Sequence, residues 1–285
     1  MTAQPRIAIL GLGSMTGAIL TGLLAASVTT PERVVATTRT AASAQRQGER
    51  FPGVRVLSGE QEADANLTAV AEADVVLLGV KPKDIVVTAR QIAPALRPKA
   101  VVVSVAAGVR AETLAGALPE GQPLVRTMPN TPLTVGSGVV GVAPAAGVTA
   151  DQRALVESLF SGSGVVVPVS EEQLPAVVAA SGSAPAYVFL LAEAIAVHAV
   201  ELGLSAEAAE AMAAATVKGA GAMLVDAVTS GEQTAEGLRR AVMSPNGTTE
   251  RAITAFEDGG FAGLVADAMD AAARRDEEMG REFGA

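Results

Sequence analysis

The sequence predicts an α/β protein with a doubly wound sheet in its N-terminal part and an all-helical C-terminal domain. Two observations support this prediction. Short apolar runs alternate with helical segments over about the first 170 residues. After Ser170, which has capping-box spacing with Gln173, the chain becomes alanine-rich helix with almost no β-branched runs. We therefore predict two domains, residues 1–169 and residues 170–285.

Seven apolar runs in the first domain predict β-strands. The first four are unbroken, as is typical of parallel strands that are buried on both faces. A helical pattern over residues 151–160 links the last two runs, and we expect seven or eight strands in one sheet. The runs are residues 7–10, 34–38, 74–80, 100–104, 124–127, 138–142 and 164–169.

The first strand leads directly into the glycine-rich turn Gly11-Leu-Gly-Ser-Met-Thr-Gly17, and a helical stretch follows. Gly11 allows the tight turn. Gly13 lets the backbone approach a pyrophosphate at the helix N-terminus, where amide groups lack partners. A lone G-x-G-x-x-G pattern is a weak signal, but its place between the first strand and the first helix of an alternating pattern makes it specific. It predicts a Rossmann-type dinucleotide-binding domain.

The end of the second strand bears on the choice of dinucleotide. An acidic residue there would bind the ribose 2′-hydroxyl of NAD, but the chain has Thr37-Thr-Arg-Thr40. Hydroxyl and guanidinium groups donate hydrogen bonds to phosphate, which favours NADP(H), with NAD(H) bound at lower affinity. Arg39 could alternatively be a solvated loop residue. Lys81 follows another strand at the ligand-binding edge of the sheet, or is an ordinary surface lysine.

Composition excludes several classes of function. The net charge of −9 provides no positive field for nucleic acid or anionic lipid, so we expect small-molecule ligands. The chain has no cysteine and one histidine, so we expect neither a disulfide nor a metal site. The first strand begins within a few residues of Met1, which leaves no room for a signal peptide. We expect a cytoplasmic protein.

Two long helices of the second domain, residues 185–202 and 205–228, are apolar around most of their circumference and must be buried on nearly all sides. Glu193, His198 and Glu201 interrupt the first helix and argue against a membrane span. A domain of this size offers little interior for both helices. We therefore expect a homodimer formed through the C-terminal helices, or a larger homo-oligomer.

Five sequence clusters together resemble the pyrroline-5-carboxylate reductase family. The resemblance is collinear from Ile7 to about Arg275, and the combination is specific although each cluster alone is modest. The clusters are Gly79-Val-Lys-Pro82, Ser104-Val-Ala-Ala-Gly108, Arg126-Thr-Met-Pro-Asn-Thr-Pro132, Ser181-Gly-Ser-Ala-Pro-Ala-Tyr187 and Ser244-Pro-Asn-Gly-Thr-Thr249.

The resemblance implies that NADPH reduces 1-pyrroline-5-carboxylate to L-proline, in a pocket completed by the helical domain of a partner subunit. It implies a substrate carboxylate at the start of a helix. Thr249 is our candidate for the proton donor to the ring nitrogen or, alternatively, only a helix-capping residue. The implied substrate-binding residues are Ser244, Asn246, Gly247, Thr248 and Thr249. The implied cofactor-binding residues are Gly11, Gly13, Ser14, Met15, Arg39, Asn66, Val80, Lys81, Pro82 and Asn130.

Three positions depart from the pattern of the family. Thr16 replaces the usual Gly or Ala of the fingerprint and is expected to crowd the helix against the strand and to affect cofactor affinity, unless Gly17, which follows it, offsets the crowding. Ala184 and Asn246 replace glycines, and asparagine tolerates a positive φ better than alanine does. Other readings therefore stay open: a reductase of another cyclic imine, a β-hydroxyacid dehydrogenase-like enzyme using Lys218, or a non-catalytic NADP-binding sensor.

Overall fold

A computed structural model of the chain describes residues 4–283. The described chain forms two compact units. Residues 4–183 and 271–283 make up the first unit, and Ala184–Asp270 makes up the second.

The first unit is built on one eight-stranded sheet with strand order 3-2-1-4-5-6-7-8. The first six strands are parallel to one another, strand 7 is antiparallel to strand 6, and strand 8 is parallel to strand 7. The predicted number of strands and the doubly wound sheet are confirmed. The strands are β1 (Ile7–Leu10), β2 (Val34–Thr38), β3 (Arg55–Ser58), β4 (Val75–Leu78), β5 (Val101–Ser104), β6 (Leu124–Pro129), β7 (Gly138–Pro144) and β8 (Gly164–Pro168).

The central strands β1, β4 and β5 are buried at every residue, which explains their unbroken apolar sequences. Strand β3 was absent from the sequence prediction. Arg55 is exposed and Val56 only half-buried, so this edge strand lacks the apolar run that marks the others. Its register beside β2 places the turn that follows it next to the end of β2.

Helices of the first unit connect the strands and cover the sheet. Helix α6 begins at a capping box in which Thr149 and Gln152 bond to each other's backbone amides. The helices are α1 (Ser14–Ala25), α2 (Ala41–Arg50), α3 (Ala65–Val70), α4 (Pro82–Ile92), α5 (Ala111–Ala115), α6 (Ala150–Ser158) and α7 (Leu174–Val177), with a π-helix at Val178–Gly182.

The compact units do not divide at the predicted boundary of residues 169 and 170. They divide at residues 183 and 184, and the end of the last helix belongs to the first unit. The change in composition at Ser170 marks the end of the strands, but the next residues still pack against the sheet. Glu171, for example, forms an ion pair with Arg126 of β6 at 2.9 Å. Ser170 and Gln173 do form the expected capping box.

The second unit is all-helical, as predicted. Its two longest complete helices pack against each other and begin within one residue of the predicted positions. Ser205 accepts a hydrogen bond from the amide of Ala208 and caps the second of them. The helices are α8 (Ala184–Glu201), α9 (Ala206–Ser230), α10 (Ala235–Ala241), α11 (Thr248–Asp258) and α12 (Phe261–Phe283), and α12 ends in the first unit.

Many large apolar side chains of α8 and α9 are exposed in the single chain, among them Phe189 and Leu190, each 66% exposed. Two apolar helical segments, Glu171–Glu201 and Ala206–Ser230, have the length and composition of membrane spans. Length and composition do not distinguish such a span from a helix that is buried against another copy of the chain.

Candidate functional site

A cleft of about 870 Å³ opens in the first unit where β1, β2 and β4 end. Eight of the ten predicted cofactor-binding residues line it: Gly11, Gly13, Ser14, Met15, Arg39, Asn66, Val80 and Lys81. Ten further residues line it that were not in the predicted cofactor-binding set, although the hydroxyls of Thr37, Thr38 and Thr40 among them were named above as phosphate donors. These are Leu12, Thr16, Thr37, Thr38, Thr40, Ser43, Gly59, Glu60, Gly79 and Asp84.

The glycine turn has the geometry that a pyrophosphate site requires. Gly11 has a φ of +88°, and a Cβ there would lie 3.0 Å from the backbone carbon of Gly79. At Gly13, the residue that caps α1, a Cβ would meet no atom within 4 Å. The space beside Gly13 is therefore open, next to first-turn amide groups that have no intrahelical acceptor. The residues present fit a dinucleotide phosphate.

Thr16 packs beside Gly79, the residue that directly follows β4, and the absence of a side chain there leaves room for the threonine. A side chain at Gly79 would overlap the Thr16 Cγ2 methyl group. The Thr16 hydroxyl donates to the carbonyl of Gly11 at 2.8 Å and accepts from the amide of Gly13 at 2.9 Å. Thr16 therefore holds the turn in shape, and the expected crowding is not present.

Asn66 lies beside the end of β2, where both the oxygen and the nitrogen of its side-chain amide form hydrogen bonds. Its Oδ1 accepts from the hydroxyl of Thr37 at 2.8 Å, and its Nδ2 donates to Gln91 Oε1 at 2.9 Å. These bonds fix the side chain at the cleft, so Asn66 also organises the loop that the cofactor would contact.

The loop between β2 and α2 carries Arg39, whose side chain is exposed. Thr40 caps α2 by accepting from the amide of Ser43 at 3.2 Å. The amide of Ala41 donates instead to the carboxylate of Glu60 at 2.8 Å. The acidic group that the sequence lacks at the end of β2 is thus supplied by the turn after β3. A missed strand hid this residue from the sequence prediction.

Lys81 caps α4 in an extended conformation, and Pro82 is the first residue of that helix. Neither Pro82 nor Asn130 is among the described residues that line the cleft. Asn130 is buried, and its side chain donates to the carbonyl of Ser181 at 3.1 Å and accepts from the amide of Val139 at 2.8 Å. Its amide therefore connects the start of β7 with the π-helix.

In the second unit, the cluster from Ser244 to Thr249 forms the turn that begins α11. Gly247 caps the helix, and its amide donates to the carbonyl of Ser244 at 2.9 Å. Asn246 has a φ of +58°, and its amide donates to the carboxylate of Glu250 at 2.7 Å. The first-turn amide groups of Thr248 and Thr249 have no intrahelical acceptor and suit an anion.

The positive φ of Asn246 is a conformation that glycine adopts freely and that asparagine tolerates better than most other residues. Ala184 differs, because it is the first residue of α8 and is not among the described non-glycine residues with positive φ. An alanine there is unstrained.

A second cavity of about 380 Å³ lies in the first unit beside the end of α12. Arg126, Glu171 and Asp276 line it, and Arg126 and Asp276 are each only 7% exposed. Burial raises the pKa of the Asp276 carboxyl group, and the charge of Arg126 opposes that shift only in part. Among residues 4–283, no three His, Asp or Glu side chains come together as metal ligands.

Comparison with known proteins assigns the chain to a family. The family of pyrroline-5-carboxylate reductase dimerisation domains matches residues 171–279, and the family described as NADP oxidoreductase, coenzyme F420-dependent, matches residues 6–108. The pyrroline-5-carboxylate reductase of Pseudomonas aeruginosa is 39% identical over 283 residues, which cover 99% of both chains. The chain belongs to the pyrroline-5-carboxylate reductase family. The Escherichia coli reductase is 33% identical, over 98% of this chain and 99% of its own.

Solved structures of pyrroline-5-carboxylate reductases have the same fold. The Coxiella burnetii reductase superposes with a TM-score of 0.88 at 36% identity, over 97% of this chain and 99% of its own. The Plasmodium falciparum reductase, solved with NADP bound, has a TM-score of 0.82 at 24% identity, over 97% and 98% of the two chains. Oxidoreductase function and homo-oligomerisation follow from membership of the reductase family.

Proposed function

We propose that this chain catalyses the NADPH-dependent reduction of 1-pyrroline-5-carboxylate to L-proline, the last step of proline biosynthesis. The observation that carries the proposal is the open space beside Gly13 at the N-terminus of α1, inside a cleft lined by eight predicted cofactor-binding residues. The curated relatives of similar length carry the same activity in their names.

When bound, the dinucleotide supplies the hydride that reduces the C5=N bond of the cyclic imine. The residues of the chain bind the dinucleotide and the imine and orient them relative to each other. Backbone amide groups of Ser14 and Met15 at the start of α1 would bind the pyrophosphate, and Arg39 would bind the 2′-phosphate. Lys81 and Val80 line the cleft at the end of β4. Positioning of this kind can lower a reaction barrier by about 7–11 kcal/mol.

The turn that begins α11 is the proposed site of the substrate carboxylate. The amide groups of Thr248 and Thr249 and the hydroxyl of Ser244 are hydrogen-bond donors at a helix N-terminus, where negative charge is favoured. Thr249 is half-buried, and its hydroxyl is the proposed proton donor to the ring nitrogen. A cyclic imine that accepts this proton requires neither a histidine nor a metal ion.

We further propose a homodimer in which the exposed apolar faces of α8 and α9 are covered by the same helices of a second copy. Phe189, Leu190, Val225 and Val228 are each more than half exposed in the single chain. The dimerisation family spans both helices, which favours a second copy over a membrane. We place the dimer in the cytoplasm, without nucleic acid.

The test is to mix purified protein with 1-pyrroline-5-carboxylate and NADPH, to follow cofactor oxidation by absorbance and to identify proline as product. NADH is run in parallel. Rapid NADPH oxidation with formation of proline is expected. NADPH binding without turnover of this substrate would contradict the proposal and would favour another imine or a sensor function.

A further inference from the structure

Glu60 is an acidic residue of the cofactor cleft that lies far in sequence from the end of β2, where such a residue is normally sought. The turn after β3 brings it there. The amide of Gly59 donates to the carbonyl of Thr38 at 2.9 Å, and the amide of Glu60 donates to the carbonyl of Arg39 at 3.1 Å. These bonds tie the end of β2 and the first residue of the loop after it to this turn.

The Glu60 carboxylate lies at the start of α2, where it accepts a hydrogen bond from the amide of Ala41 at 2.8 Å. Amide groups in the first turn of a helix favour a negative group. In this protein the group is a carboxylate of the chain itself, so the amide that a phosphate would otherwise use already has an acceptor.

The charges of this part of the cleft are not neutralised by neighbouring side chains. Within residues 4–283, neither Arg39 nor Glu60 forms an ion pair. Both residues line the cleft beside Thr38, Thr40 and Ser43. A ligand that enters here therefore meets Arg39, a cation that attracts a phosphate, and Glu60, an anion that repels it. Arg46 lies close by and donates to the hydroxyl of Ser43 at 2.9 Å.

We propose that Glu60 influences nucleotide selectivity in two ways. Its carboxylate repels the 2′-phosphate of NADP(H) and accepts a hydrogen bond from the 2′-hydroxyl of NAD(H). It thereby reduces the preference for NADP(H) that Arg39 provides. This inference rests on the proposed function only in placing the adenosine end of the cofactor at this loop. A ribose hydroxyl can donate to a carboxylate, whereas a phosphate beside it adds like-charge repulsion.

The test is Glu60→Gln, which removes the charge but keeps an oxygen acceptor for the amide of Ala41. Dissociation constants are measured by calorimetry for NADP⁺ and NAD⁺, and for 2′,5′-ADP and 5′-AMP, which lack the nicotinamide. We expect NADP⁺ and 2′,5′-ADP to bind about threefold to fivefold more tightly, the scale of an exposed charge interaction. Binding of NAD⁺ and 5′-AMP should be unchanged or weaker.

Glu62→Gln is the matched control, because Glu62 is exposed on the same turn and does not line the cleft. It should leave the ratio of the NADP⁺ and NAD⁺ dissociation constants unchanged. An unchanged ratio in Glu60→Gln, or an equal shift in both variants, would overturn the inference.

The wild-type turnover assay keeps this result separate from the proposed function. A shifted binding ratio without reduction of 1-pyrroline-5-carboxylate would support the role of Glu60 and contradict the proposed substrate. Reduction of the substrate with an unchanged binding ratio would support the proposed substrate and contradict the role of Glu60. Failure of the wild type to bind any of the four nucleotides would overturn both.

Discussion

The methyl group of Thr16 occupies the space that a side chain at Gly79 would need. This pairing joins the start of α1 to the end of β4, directly beneath the glycine turn. The Thr16 hydroxyl also bonds to the Gly11 carbonyl and the Gly13 amide. The shape of the proposed pyrophosphate site therefore depends on Thr16 on the helix and on the absence of a side chain at Gly79, directly after β4.

Gly79→Ala should destabilise the first unit and weaken NADP⁺ binding. The new Cβ would overlap Thr16 Cγ2 and lie 2.9 Å from the Gly11 carbonyl oxygen, so the turn must shift. Overpacking of this kind costs about 1–3 kcal/mol of unfolding free energy. Urea unfolding at fixed protein concentration measures the stability, and calorimetry measures the binding.

Thr16→Ser in the Gly79→Ala background is the accompanying variant. Serine keeps the hydroxyl and removes the methyl group, so it should recover part of the lost stability. Recovery should be incomplete because the alanine Cβ still lies close to the Gly11 carbonyl oxygen. Full stability and unchanged NADP⁺ affinity in Gly79→Ala alone would refute the relationship.

Thr249→Ala should lower kcat or raise the KM for 1-pyrroline-5-carboxylate and leave NADPH binding intact. A lost proton donor or substrate hydrogen bond would reduce kcat/KM by about tenfold to a hundredfold, which corresponds to about 1.4–2.8 kcal/mol. Steady-state kinetics and an NADPH titration measure the two effects.

Thr254→Ala provides the comparison, since Thr254 is exposed on the same helix and its hydroxyl donates only to the Glu250 carbonyl. Unchanged kinetics in Thr249→Ala would remove Thr249 from the site. Equal losses in both variants would instead indicate a general effect on α11.

Asn246→Ala should lower the unfolding free energy by about 1–2 kcal/mol, because alanine is strained at a φ of +58°. Asn246→Gly should be tolerated, since glycine adopts this conformation freely. Chemical denaturation of the three proteins measures the difference. If alanine were tolerated as well as glycine, the conformation of this turn would not be the one described.

The contribution of the buried Asp276 carboxyl group to the unfolding free energy should fall as the pH rises above about 4. Burial raises its pKa above the ordinary value of 3.8, so the folded state binds more protons than the unfolded state over that interval. The contribution of Asp276 to the unfolding free energy then decreases as the pH rises from the ordinary pKa to the raised pKa, and it levels off above the raised pKa. Arg126 and Glu277 face the carboxyl group and have opposite effects on its pKa.

Asp276→Asn removes the titration, so the difference in stability between wild type and variant should change across this pH interval. Denaturant unfolding from about pH 3.5 to pH 6.5, at one protein concentration, provides the measurement. A constant difference for Asp276→Asn would contradict the assigned shift.

The sequence alone determined the fold class, the family and eight of the residues that line the cofactor cleft. Buried parallel strands require unbroken apolar runs, and the turn at Gly11 and Gly13 requires residues without side chains, so both leave direct marks in the sequence. The capping box of Ser170 and Gln173 was visible for the same reason, since capping depends on residues a few positions apart.

Only the tertiary structure decided the features that depend on residues far apart in sequence. The pairing of Thr16 with Gly79 compensates a departure that looked unfavourable, and the register of β3 beside β2 brings Glu60 to the start of α2. The extent of the first unit was decided in the same way, because Arg126, Glu171 and Asp276 meet around one cavity. Local sequence patterns reflect the conformation and burial of each segment, whereas such contacts depend on how distant segments pack.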